Sequence, residues 1–164
     1  PEPLVKPTRE AKRLDKEGRD LFAARKYTLA GKRFQEIIKL GHATATTHNN
    51  LGCCLYRTAR GDQAPAIAQF SKAIALDPKN ATIFENRGTA YYQDSKKIEA
   101  GRTDFATAAD RDVERRLEKP DAPPTGFFEL KYSRTSTRFP PTLRKRYSSV
   151  RVSTWQGRAS VRRP

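Results

Sequence analysis

Residues 49–80 read "NNLGCCLYRTARGDQAPAIAQFSKAIALDPKN". Leu51, Gly52 and Leu55 lie on one run of helical spacing, Ala66, Phe70 and Ala73 on another, and turn residues Gly61, Asp62 and Pro65 separate the two. Such a pattern predicts two helices joined by a short loop, because apolar residues three or four apart share one helical face while glycine and aspartate interrupt it. Pro65 suits a helix start, where its missing N–H has no intrahelical partner to lose, and Pro78 falls where the second helix must stop.

The spacing recurs. From Gly52, Ala66 stands at +14, Phe70 at +18, Ala73 at +21 and Pro78 at +26. From Gly18 the same ladder, shortened by two, reaches Ala30, Phe34, Ile37 and His42; from Gly88, shortened by one, it reaches Gly101, Phe105, Ala108 and Val113. The length differences fall in the loop within each hairpin, near Gly61-Asp62-Gln63 and Ser95-Lys96. A glycine opposite a small residue lets two antiparallel helices approach, and the phenylalanines are expected to fill the space between successive hairpins.

This ladder resembles the tetratricopeptide repeat (TPR), a helix-turn-helix unit of 34 residues with the signature W-x2-L-G-x2-Y, A-x3-F, P. Gly18 and Gly52 are 34 residues apart; Leu51-Gly52 with Leu55, Ala66 with Phe70, and Pro78 carry the motif in the second copy, and Phe84, Gly88 and Tyr91 in the third. The resemblance implies an all-α fold, a right-handed solenoid of three helical hairpins followed by an extended irregular tail. The expected divisions are an N-terminal extension over 1–7, a three-repeat domain over 8–119 (8–43, 44–80 and 81–119) and a tail over 120–164. The first copy departs from the family pattern at Leu14, Glu17 and His42, and the third at Arg87, before its glycine, and at Asp104, before Phe105.

Beyond Pro120 the composition changes. Pro120, Pro123, Pro124, Pro140 and Pro141 interrupt any helix, and ten Lys/Arg stand against only Asp121 and Glu129, so this stretch carries +8 of the net +15. Aromatic residues are interleaved with the basic ones, an arrangement suited to lying along an acidic surface with guanidinium groups on phosphates or carboxylates and rings in crevices or on bases. The expected anchors are Phe127, Phe128, Tyr132, Arg138, Phe139, Arg144, Lys145, Arg146, Tyr147, Arg151, Trp155 and Arg158. The long last helix runs to Pro120 with no capping helix after it, which leaves the solenoid end open; "GFFELKY", residues 126–132, folding back on the helix, or a partner protein, is expected to cover it.

Enzymatic chemistry finds no footing in the pattern. The two histidines, His42 and His48, lie at packing positions without metal-ligand spacing, a phosphate-cradling loop or a nucleophile elbow nearby. The adjacent Cys53 and Cys54 suit neither a disulfide framework nor a C-x-x-C site and read as small helix residues of a reducing compartment. No cofactor, metal, small-molecule substrate or membrane insertion is expected. The residues predict a soluble intracellular chain of cytoplasm or cytoskeleton, including a flagellar axoneme; a chain that lacks Met and begins at Pro1 leaves a processed mitochondrial protein open.

The first helices of the hairpins are expected to line a neutral, hydrogen-bonding groove. Its candidate residues are Arg19, Phe22, Asn49, Asn50, Cys53, Tyr56, Arg57, Glu85, Asn86, Thr89 and Gln93, with Lys16 beside them. The carboxylate clamp of chaperone-binding TPR proteins cannot be carried over: in phase, Asp15, Arg19, Asn50, Thr82 and Asn86 occupy its positions and only Asn50 matches. Together these features predict a non-catalytic scaffold subunit of a large assembly that docks on other protein subunits by groove and open end. Its tail then runs along an acidic surface, either RNA, as in an organellar ribosome, or a tubulin-like protein, as in an axoneme.

Overall fold

A computed structural model describes residues 6–118 and Leu130. They form six α-helices in chain order: α1 (Arg9–Ala23), α2 (Tyr27–Lys39), α3 (Ala45–Thr58), α4 (Ala64–Leu76), α5 (Ala81–Tyr91) and α6 (Ile98–Glu118), the last preceded by a 3-10 turn over Ser95–Lys97. Each helix packs on the next in sequence, and α3 also meets α5. The architecture is therefore an all-α stack of three helical hairpins, α1/α2, α3/α4 and α5/α6. Residues 1–5, and with them most of the expected extension, lie outside the described residues, as does the expected extended tail apart from Leu130.

Local chemistry explains where the helices begin. The Thr8 hydroxyl accepts from the Ala11 N–H, Thr44 from Thr47 and the Asn80 side chain from Thr82, so three of the helices open on side-chain caps that satisfy an otherwise unpaired donor. Pro65 lies in the first turn of α4.

The ends of α1 and α2 share one device. The N–H of Gly41 donates to the Ile38 carbonyl and that of His42 to the Ile37 carbonyl, with Gly41 at φ 75°. At the end of α1 the same two bonds run from Arg25 to Phe22 and from Lys26 to Leu21, with Arg25 at φ 60°. Both close the last turn through a left-handed residue. Glycine marks the second in the sequence; nothing marks the first.

The phenylalanines and small residues of the ladder lie in the core, whereas Val113, its last position in the third copy, is exposed. Phe34 and Phe70 are wholly buried, as are Ala30, Ala73 and Ile83. The rings do more than fill the gap between hairpins, because each lies on the glycine of its own hairpin. A Cβ on Gly18 would stand 2.8 Å from Phe34 Cζ, and one on Gly52 would stand 2.6 Å from Phe70 Cε1. Phe34 also joins Leu51 and Cys54 of the second hairpin in one cluster, while Phe70 joins Ile83 and Ala90 of the third in another. A single ring thus closes its own hairpin and buries the face the next hairpin needs covered.

Candidate functional site

The face shared by α3 and α5 is polar and buried at once. Asn49 and Asn50 are wholly buried and Asn86 is 1% exposed. A buried side-chain amide must find partners or pay a desolvation cost, and these find one another. Asn86 Nδ2 donates to Asn49 Oδ1 at 2.8 Å and more loosely to Cys53 Sγ, and Asn49 Nδ2 donates to Asn50 Oδ1 at 3.2 Å. The three amides form a continuous neutral floor linking the second and third hairpins.

Leu130 sits on this floor. Its backbone N–H donates to Asn86 Oδ1 at 2.7 Å, across 44 residues of sequence, and its side chain, 6% exposed, joins Cys53, Ala66, Phe70, Ala73, Ile83 and Ala90. The segment expected to cover the open end after α6 therefore places its leucine elsewhere: the cluster Leu130 joins draws on α3, α4 and α5 and contains no α6 residue. The floor offers the leucine both a side-chain acceptor for its main-chain N–H and an apolar seat.

The remaining candidates are distributed around this floor. Thr89 is buried with its hydroxyl given to the Glu85 carbonyl in its own helix, so it lines the site by shape rather than by hydrogen bonding outward. Gln93 donates to the Tyr56 hydroxyl at 3.0 Å and ties α3 to the end of the third hairpin's first helix. Phe22 stacks edge-on to Tyr27 and packs against both apolar clusters. Arg57 is exposed, as are Arg19, which pairs with Asp15, and Lys16, which pairs with Asp20. The two basic candidates of the first hairpin thus pair with acids of their own helix, while the hydrogen-bonding groups gather on α3 and α5. The tail anchors Phe127, Phe128, Tyr132, Arg138, Phe139, Arg144, Lys145, Arg146, Tyr147, Arg151, Trp155 and Arg158 lie outside the described residues.

Burial pushes the Cys54 thiol up to about 12, and burial first, then the neighbouring Cys54, raises the Cys53 thiol well above its ordinary value. Neither is joined in a disulfide, and burial opposes formation of the thiolate a nucleophile needs. His48 Nδ1 lies 2.8 Å from Gln69 Oε1, a contact that joins α3 to α4 within the second hairpin. Among the described residues no group of His, Cys, Asp and Glu is placed to hold a metal ion, and no helix is long and apolar enough to cross a membrane.

One tie escapes residue-by-residue reading. Arg87 on α5 and Asp104 on α6 face each other in a two-bond fork, Nε to Oδ2 and Nη2 to Oδ1, both at 2.8 Å, while Nη1 donates to the Ser71 hydroxyl on α4 at 3.1 Å. The hydrogen bond to Asp104 holds the guanidinium pKa above its ordinary value, against the opposing effect of burial. Arg87 thereby joins three helices across two hairpins. Its carbon Cζ lies 5.8 Å from the ring centres of both Phe84 and Tyr91, within reach of a cation–π contribution.

A protein-family model described as TPR repeat matches residues 56–95. That window runs from Tyr56 near the end of α3 through α4 and α5, so it straddles the junction of the second and third hairpins where the amide floor and the Arg87 tie lie. Comparison with curated proteins and with solved structures returns no match. Three stacked helical hairpins, a glycine-to-phenylalanine ladder that closes the first two, and that match fit a TPR-type helical-repeat protein.

Proposed function

We propose that the chain is a non-catalytic scaffold subunit of a large intracellular assembly, which holds an extended segment of protein on the α3/α5 floor and lays its basic tail on an acidic surface of a neighbouring subunit. TPR repeats are protein–protein interaction units, and the observation that carries the reading here is the 2.7 Å bond from a non-helical backbone N–H to Asn86. A side-chain amide that receives a main-chain N–H, beside an apolar seat, recognises extended polypeptide by features every such segment has. The tail's ten Lys/Arg and interleaved aromatics support the second contact. Protein is the preferred partner of the groove because its floor is neutral and suits a peptide better than a phosphate backbone.

The test separates the two contacts by salt. Tagged full-length chain carrying Asn50→Ala with Tyr56→Ala should lose partner subunits by an amount that changes little with ionic strength, since it removes short-range hydrogen bonding and aromatic contact. Arg144→Ala, Lys145→Ala and Arg146→Ala together should weaken recovery in a salt-dependent way, because exposed charges are screened over about 8 to 10 Å at physiological salt. Equal salt slopes for the two sets, or complete loss of partners on nuclease treatment, would overturn the reading.

A further inference from the structure

Leu130 reaches the α3/α5 floor from the chain's own sequence, only twelve residues after the end of α6 at Glu118. Its two contacts are of a general kind. The bond to Asn86 uses a main-chain N–H, present in every residue but proline, and the seat among Cys53, Phe70 and Ile83 takes an aliphatic side chain without requiring a charge. Asn86 itself is held by its own bond to Asn49, so the acceptor is aimed by the helices rather than by its occupant.

We propose that Leu130 is a tethered occupant of the α3/α5 floor, and that a partner's extended segment docks by placing an aliphatic residue in the same seat and displacing it. This deepens the docking role argued above and rests on it. The floor is thereby closed to weak or non-aliphatic segments and open to those that outcompete a short tether. Attachment within one chain supplies an effective concentration of about a millimolar, so the protection is large yet surmountable by a partner delivered within an assembly. Because no charge takes part in the seat, the exchange should be insensitive to salt, unlike attachment through the tail.

The probe is a fluorescent synthetic peptide of residues 126–134, titrated into the full-length chain and read by anisotropy. The Leu130→Asp chain should bind it on the order of tenfold or more tighter than the wild type, since the tethered competitor is gone. Adding Asn86→Ala to Leu130→Asp should remove that gain. In the wild type, saturating peptide should move the Leu130 amide resonance from its bonded position, a reading that needs no variant and decides the matter if Leu130→Asp fails to fold. Equal peptide affinity in both chains together with an unmoved Leu130 amide overturns the proposal, and so does a concentration-dependent dimer that Leu130→Asp abolishes, which would put a second copy's Leu130 in the seat. Failure of the wider docking role looks different: Asn50→Ala with Tyr56→Ala would then leave partner recovery intact whatever the peptide does.

Discussion

In the second hairpin, Gly52 lies beneath the ring of Phe70, with the His48–Gln69 hydrogen bond beside them, whereas in the third the corresponding Gly88 meets backbone. A Cβ on Gly88 would stand 3.1 Å from the Gly101 carbonyl oxygen and 3.2 Å from Phe105 Cε2, and one on Gly101 would stand 2.5 Å from Tyr92 Cδ2. Two glycines in place of a glycine and an alanine bring the backbones of α5 and α6 into contact and admit the Tyr92 ring, which packs edge-on to Phe105 with centres 5.5 Å apart. Beside that junction the third hairpin adds the Arg87–Asp104 fork. The repeat keeps its outline while its closure passes from a ring on a glycine to an ion pair, a glycine–glycine crossing and a second ring.

The largest expected effect falls where closure depends on one ring. Phe70 is wholly buried and serves both its own hairpin and the next. Phe70→Ala should therefore cost about 3 to 5 kcal/mol, the transfer and cavity cost of a buried aromatic. Phe105→Ala should lie near the low end of that range, since Tyr92 remains to occupy part of the junction. Chemical denaturation of the two variants checks the order, and a larger loss for Phe105→Ala would mean that the third hairpin depends on its ring as the second does.

Next comes the fork. Arg87→Leu restores the family's leucine at that position but leaves Asp104, whose side chain is 6% exposed, without its guanidinium, and should cost about 3 kcal/mol. Arg87→Leu with Asp104→Ala removes both charges and should regain most of that loss, because a buried ion pair exchanged for apolar groups is close to neutral. A double-mutant cycle reads the coupling directly. If the double variant is no more stable than Arg87→Leu alone, the fork is not what makes these two departures from the pattern compatible.

That pair shows where sequence reading succeeds and where it fails. Gly52 and Phe70 were legible because a fixed separation on two helices implies a contact, and the family pattern records it. Arg87 and Asp104 read singly as departures, since spacing cannot say that two unusual residues 17 apart answer one another. Tyr92 needs the absent side chain of Gly101, a relation visible only in three dimensions. Arg25 adopts the left-handed conformation that Gly41 adopts, with no glycine to announce it. Of the groove, Asn49, Asn50 and Asn86 could be placed on one face from phase alone. Leu130 could not be placed there, because it belongs to a segment without periodicity. The one signal was that "GFFELKY" is the most apolar stretch after Pro120, and it pointed to α6 rather than to the floor.

A smaller effect tests the close approach itself. Gly52→Ala drives a methyl group to within 2.6 Å of the wholly buried Phe70 ring and should cost about 1 to 3 kcal/mol by overpacking. The same substitution at Gly41 meets nothing within 4 Å and strains only the left-handed backbone, for about 1 kcal/mol. Thermal melts that rank Gly41→Ala as the worse of the two would place the constraint in backbone conformation instead of in packing.

The smallest effect sets the fork against a pair on its own helix. On α6, Arg102 Nη1 lies 2.8 Å from Glu99 Oε1, the same distance as the Arg87–Asp104 contacts, yet the two side chains are 49% and 81% exposed. Equal distance does not mean equal worth. Water solvates both partners before and after the pair forms, side-chain entropy opposes holding them together, and salt screens what attraction remains. Arg102→Ala should therefore cost under about 0.5 kcal/mol, and that cost should vanish at about 1 M salt, where the screening length falls to about 3 Å. Arg87→Leu should keep its penalty under the same conditions, because Asp104 is shielded from solvent and its loss is one of desolvation rather than of distant attraction. A salt series on both variants measures the difference between a buried fork and an exposed single contact of equal length, and parallel slopes would show that the third hairpin closes by packing alone.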